Sequence, residues 1–217
     1  MKILRNVAMA TVTLGLALGL SACSGSNAPA ESSSENNEST ASTEESATAS
    51  ENSQSTVAVD DLQPNEAAGN VLVAYFSQSG NTEEVAQVIS DYTTGDLAEI
   101  QRAEEYGDLQ EEAEAEILDG VQPEITVSVD NVEAYDTIFV GYPIWWDEAP
   151  AMIASFLANN DFAGKRIVPF CTSSSDEIDN SLHIFPELAP DAVIEEGLTA
   201  NDLDDIPPWL VELEIVQ

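Results

Sequence analysis

The folded part of the chain alternates short, continuous apolar runs with stretches whose apolar positions recur at helical spacing. Residues 71–76 (Val71, Leu72, Val73, Ala74, Tyr75, Phe76) read as a buried strand, which breaks into the polar run Ser77, Gln78, Ser79, Gly80, Asn81 and Thr82. Residues 83–92 follow, with apolar positions at 85, 88, 89 and 92, the i, i+3, i+4, i+7 pattern of one helix face. Residues 96–100 predict a short second strand. Residues 108–119, acidic with sparse apolar positions, predict a solvent-facing helix ended by Gly120. Residues 125–129 alternate as a minor edge strand would, and 136–142 form a clear buried strand. After a loop over 143–148, Pro150 opens a helix whose apolar face is Ile153, Phe156 and Leu157. A further buried strand over 166–170 runs into Cys171, Thr172, Ser173, Ser174, Ser175 and Asp176. A helix is expected over 176–185, a last strand within 191–198, and a short closing helix over 208–213. No internal repeat is visible.

Strands alternating with helices predict an α/β fold, with a parallel sheet covered by helices on both faces. Ligands in such folds bind beyond the carboxyl ends of the strands, near the topological switch point. The loops 77–82, 143–148 and 172–176 should therefore meet at one sheet edge.

The N-terminal third has a different character. Lys2 and Arg5 precede an apolar stretch from 7 to 20, and Leu20, Ser21, Ala22 and Cys23 match a lipobox. The stretch is short for a membrane span and is followed by small residues, which favours cleavage. Residues 1–22 are expected to be a lipoprotein signal peptide. Cys23 would then carry the lipid that anchors the chain to the outer face of the cell membrane. Residues 23–66 are rich in Ser, Thr, Asn, Ala and Glu, with no aromatic, Lys or Arg. They read as a disordered tether spanning roughly 35–40 Å. The folded domain is expected over 67–217. With Cys23 lipidated, Cys171 has no disulfide partner and reads as a buried small hydrophobe.

Charge narrows the partners. The chain holds 41 acidic and 5 basic residues, a formal net charge of −36. Beyond Cys23 the only basic residues are Arg102, Lys165 and Arg166. Nucleic acid and anionic lipid are poor partners for such a surface, whereas a basic one is attracted. The same acidity also serves solubility, or adaptation to salt or acid.

A strand, a hydroxyl-rich loop and a helix start together build an anion site, because the first N–H groups of a helix are unpaired and its dipole favours negative charge. The loop has no Lys, which excludes a P-loop. Pro143, Ile144, Trp145 and Trp146 follow a buried strand. The two neighbouring indoles diverge, so one should face the surface or a ligand, unless both belong to a packed aromatic corner. His183, the only histidine, reads as satisfied or solvent-facing. No His/Cys cluster has metal-ligand spacing, and no nucleophile–base pair stands out.

Three motifs carry a resemblance: Tyr75-Phe76-Ser77-x-Ser79-Gly80-Asn81-Thr82, Gly141-Tyr142-Pro143-Ile144-Trp145-Trp146 and Pro169-Phe170-Cys171-Thr172-Ser173. In this order and spacing they resemble the flavodoxin-like superfamily, in the branch with a Gly-Tyr-Pro-x-Trp-Trp loop. The likeness covers about residues 70–217. It implies a doubly wound five-stranded parallel sheet of order 2-1-3-4-5 and one non-covalent FMN. Carried over, Ser77, Ser79, Asn81 and Thr82, with backbone amides from Gln78 through Gly80 to Thr82, would hold the phosphate. Pro143, Ile144, Trp145 and Trp146 would contact the isoalloxazine, and Thr172, Ser173, Ser174, Ser175 and Asp176 would border its other side. The chain departs from its relatives in that third loop, where serines and acids replace a Gly-rich stretch with a nearby Arg.

The expected function is a membrane-anchored FMN electron-transfer flavoprotein whose redox partner protein presents a basic docking surface. An NAD(P)H-dependent quinone or flavin reductase using FMN is the alternative, with NADH favoured because basic residues are so few. A cofactor-free binding lipoprotein is the third reading.

Overall fold

The computed structural model describes residues 62–217. The expected signal peptide, Cys23 and nearly all of the expected tether lie outside the described residues. Among the described residues no helix is long and apolar enough to cross a membrane.

Strands β1 (Val71–Tyr75), β2 (Asp96–Arg102), β3 (Ile125–Val127), β4 (Thr137–Pro143), β5 (Arg166–Thr172), β6 (Val193–Ile194) and β7 (Leu198–Thr199) form one sheet. Its order is β3-β2-β1-β4-β5-β6, with β7 also paired to β5. Every pairing is parallel except β2 with β3. The expected order 2-1-3-4-5 is present as β2-β1-β4-β5 followed by β6 and β7, so the sheet has seven strands rather than five. The extra edge strand, β3, is the alternating stretch near residue 125. The expected single last strand is split in two. Ile167 pairs with Ile194 and Phe170 with Leu198, so one extra residue is accommodated on the outer strand, as in a bulge. The break falls opposite Pro169, which has no N–H to give a ladder.

Helices α1 (Asn81–Thr93), α2 (Leu109–Asp119), α3 (Ala151–Asn159), α4 (Ile184–Leu188) and α5 (Ile206–Glu212) cover the sheet. Period-two alternation along each strand sorts the core onto two faces. Leu72, Ala74, Ile138, Val140 and Tyr142 pack with Met152, Ile153 and Phe156 of α3 and Phe185 of α4. Val71, Val73, Phe139, Val168 and Phe170 pack with Val85, Ala86 and Ile89 of α1 and Ile206 and Leu210 of α5. Gly141 permits close packing across the central strands. A Cβ there would sit 2.0 Å from the Phe170 ring.

The continuous helix expected over 176–185 is absent. A 3-10 turn (Ile178–Ser181) precedes α4 instead. Pro186 explains the break: its ring clashes with the carbonyl four residues earlier and it cannot donate in a helix interior. The turn is also tied down to the sheet. Thr199 Oγ1 accepts from the Ile178 N–H at 2.9 Å, and the buried Ser181 hydroxyl lies 2.9 Å from that of Tyr142.

Candidate functional site

Because β1, β4 and β5 run parallel, the loops after them emerge at the same edge of the sheet. The first loop ends at Gly80, whose φ of 95° lies in the left-handed region glycine enters freely. Ser77 Oγ accepts from the Gly80 N–H at 3.1 Å and closes the loop on itself. Helix α1 then starts two residues earlier than its apolar spacing suggests, with Asn81 and Thr82 in its first turn. Its first i→i−4 bond runs from the Glu84 N–H to the Gly80 carbonyl, 3.0 Å, and no side chain caps the helix. The N–H groups of Asn81, Thr82 and Glu83 are thus left as donors at the positive end of the helix dipole.

The second and third loops are bonded to each other and to the first. The Ile144 N–H donates to the Thr172 carbonyl at 3.0 Å. The hydroxyls of Thr82, 1% exposed, and Thr172 lie 2.9 Å apart. In the third loop Ser173 Oγ accepts from the Asp176 N–H at 2.8 Å, and the Ser173 N–H donates to Asn201 Oδ1 at 2.9 Å. No non-glycine residue between 172 and 181 has a positive φ. The serines are therefore accommodated in a hydroxyl-closed turn that needs no left-handed backbone.

These loops enclose a cavity of about 460 Å³. Of the expected residues it brings together Ser79, Asn81, Pro143, Ile144, Thr172, Ser173 and Ser174. Ser77, Gln78, Gly80, Thr82, Ser175 and Asp176 belong to the same loops but do not line it. Glu84, Val85, Ala200, Asn201 and Leu203 line it as well and were missed from sequence. The last three follow β7, whose carboxyl end reaches the same sheet edge. The strand-end rule applied to that strand would have pointed to them.

Neither tryptophan of the second loop lines this cavity. Trp145 and Trp146 open a two-residue hairpin turn in which Trp145 and Glu148 exchange both N–H···O bonds, each 2.9 Å. The central residues Trp146 and Asp147 take φ of 50° and 65°, as a type I′ turn requires. Trp145 folds inward, edge-on to Phe76 (5.3 Å between ring centroids) and Tyr106 (6.4 Å). Tyr106 is itself fixed: its hydroxyl donates to Glu116 at 2.8 Å and Arg102 lies over its ring. Burial and the Glu116 carboxylate push the Tyr106 hydroxyl pKa well up. Trp146 points away and is 43% exposed.

No Lys or Arg lines the cavity. Arg102 pairs with Glu116 at 3.0 Å, Arg166 pairs with Glu195 at 2.8 Å, and Lys165 donates to the carbonyls of Glu133 and Tyr135. A group with phosphate at one end and a flat ring at the other suits this cavity, with neutral donors beside the Glu84 carboxylate on the α1 side and Pro143 and Ile144 on the other. Cys171 is buried, and burial pushes its thiol pKa up to about 12.

A protein-family profile described as flavodoxin matches residues 70–212. Among solved structures, the chain resembles an inferred flavoprotein of Bacteroides eggerthii, with 34% identity and a TM-score of 0.62, over 67% of this chain and 98% of that one. A second, from Bacteroides uniformis, shares 31% identity with a TM-score of 0.60, over 66% of this chain and 99% of that one. A flavoprotein of Lactobacillus acidophilus, solved in complex with FMN, shares the fold at 24% identity and a TM-score of 0.53, over 64% of this chain and 97% of that one. No curated protein matches the chain.

Proposed function

This chain belongs to the flavodoxin family, and we propose that its domain binds FMN and carries electrons while anchored to the outer face of the cell membrane through Cys23. The observation that carries the reading is the uncapped start of α1 opening into a cavity walled by all three strand-end loops. In this proposal the N–H groups of Asn81, Thr82 and Glu83 and the side chains of Ser79 and Asn81 hold the phosphate. Pro143, Ile144, Ser173 and Ser174 border the ring, and Asn201 fixes the third loop through the Ser173 N–H. The bound flavin would supply one- and two-electron transfer, while the protein supplies orientation and electrostatics.

An electron carrier is favoured over a reductase by the state of the basic residues. Arg102, Lys165 and Arg166 are all held by other protein groups, so none is placed to receive the phosphates of a pyridine nucleotide. The Cys23 anchor rests on the lipobox, and the acidic surface favours a redox partner with a basic face. The test is an absorption spectrum of the purified protein after FMN addition and desalting. A retained flavin band, with FMN held more tightly than riboflavin, is expected. Loss of both flavins on desalting would refute the proposal. For the anchor, Cys23→Ser should move the protein out of the membrane fraction.

A further inference from the structure

A second cavity, about 520 Å³, lies among α2, α3 and α4 and shares no lining residue with the first. Part of its wall is apolar, with Ile117, Ala151, Ala154, Ile184 and Leu188. Large hydrophobics gather there in the open: Leu118 is 76% exposed, Val121 46% and Trp146 43%. These are half of the six large hydrophobics exposed among the described residues, so the patch is not random scatter. Trp146 is presented to it from a left-handed backbone, φ 50°, a conformation unfavourable for a bulky residue. Four carboxylates, Glu114, Glu116, Glu148 and Glu187, also line the groove, and no Lys or Arg does. Arg102 answers Glu116, and His183 lies 3.3 Å from Glu148. Among the described residues Glu114 and Glu187 have no ion-pair partner.

We infer that this groove is the docking site for a protein partner presenting an apolar helical segment flanked by Lys or Arg. Charge selects the occupant. A second copy of this chain would bring another net charge of −36 against the same acids. The chain's own residues 24–61 have no aromatic and no basic residue to offer. An anionic lipid surface is repelled. A basic amphipathic helix satisfies both features, its apolar face lying against the Leu118, Val121 and Trp146 rim and its cations meeting Glu114 and Glu187. The inference does not rest on the flavin reading, since the groove and the FMN cavity have separate linings.

The test titrates the full chain with three peptides: an amphipathic helix of Leu and Lys, the same helix with Glu for Lys, and a Lys peptide without Leu. Saturable binding of the Leu/Lys helix alone, reported by Trp146 fluorescence and calorimetry, is expected. Leu118→Ser or Trp146→Ala should weaken it by about tenfold, the scale of an interface anchor. Glu187→Gln should weaken it less, and Val193→Ser, an exposed apolar residue elsewhere, should leave it unchanged. Equal binding of the Lys peptide would assign the effect to bulk charge and overturn the proposal. So would absence of binding, equal loss in Val193→Ser, or self-association in sedimentation abolished by Leu118→Ser. Circular dichroism of each variant separates misfolding from lost docking.

Discussion

Trp145 and Trp146 are neighbours in sequence with opposite roles in the fold, and truncating each to Ala separates them. Trp145 is half-buried and meets Phe76 and Tyr106 edge-on, at 5.3 and 6.4 Å between centroids. Each such aromatic contact contributes about 0.5–1.5 kcal/mol beyond area burial. A fully buried Trp→Ala costs about 3–5 kcal/mol, so a half-buried one with two good ring contacts should cost about 2–3 kcal/mol. At about 2–4 °C per kcal/mol for a domain of this size, the melting temperature of Trp145→Ala without flavin should fall by about 5–10 °C. Trp146 is 43% exposed and its backbone φ stays positive in the Ala variant, so neither packing nor strain changes much. Trp146→Ala should lie within about 0.5 kcal/mol of the parent. Differential scanning calorimetry and urea unfolding of the apo-protein provide the measurement. If Trp146→Ala melts as low as Trp145→Ala, or if Trp145→Ala is neutral, the assignment of Trp145 as the loop's inward anchor is wrong.

Asp147→Gly relieves a left-handed residue in the same turn, φ 65°, and should stabilise the apo-protein by about 0.5–1 kcal/mol, visible as a higher urea midpoint. In the proposed binding mode Glu84 and not a cation lines the phosphate end, so FMN affinity should rise with added salt as screening weakens repulsion, while riboflavin affinity stays flat; fluorescence titrations from low to high salt decide this. The buried Cys171 thiol has its pKa raised above the ordinary 9.0 to about 12, so its contribution to stability is complete below pH 9 and declines as pH rises toward 12. Cys171→Ala should flatten that part of the alkaline stability profile, and native Cys171 should resist thiol reagents until the protein unfolds.

The fold was legible where one periodicity dominated. Continuous apolar runs marked β1, β4 and β5, and the 85, 88, 89, 92 spacing marked α1, because strands buried on both faces and a one-sided helix leave different patterns. The splitting of the last strand was not legible. It depends on Pro169 in the neighbouring strand, a contact across the sheet that no local pattern records. The continuous helix expected over 176–185 is interrupted by Pro186 and by the tie from Thr199 to the Ile178 N–H, a contact across the fold that no local pattern records. At the site, the three loops were readable as polar runs behind apolar ones. Asn201 and Leu203 were not, since they follow a strand of two residues, too short to announce a strand end. The two tryptophans could be singled out from sequence, yet their separation into one inward and one outward ring depends on the I′ turn, which the local Trp-Asp pair does not signal as Asn-Gly would.

The charge of the chain and the chemistry of the site fit together in a way that neither shows alone. A surface this acidic repels a dianion, and a cluster of cations at the phosphate end would be the simple remedy. Here every cation beyond Cys23 is committed elsewhere: Arg102 to the Glu116–Tyr106 cluster, Lys165 to two carbonyls, and Arg166 to Glu195 and the Leu213 carbonyl. What remains is backbone. The α1 N-terminus offers three N–H donors and a dipole equivalent to about half a positive charge. Gly80 makes that geometry reachable by taking φ 95°, and a Cβ at this position would meet nothing within 4 Å, so its conformational freedom rather than space is what the glycine supplies. A backbone site cannot be removed by deleting one side chain, and it adds no positive charge to the surface. Neutral donors at this site therefore leave the acidic surface uninterrupted by cations, which is the electrostatic condition that the proposed basic partner requires.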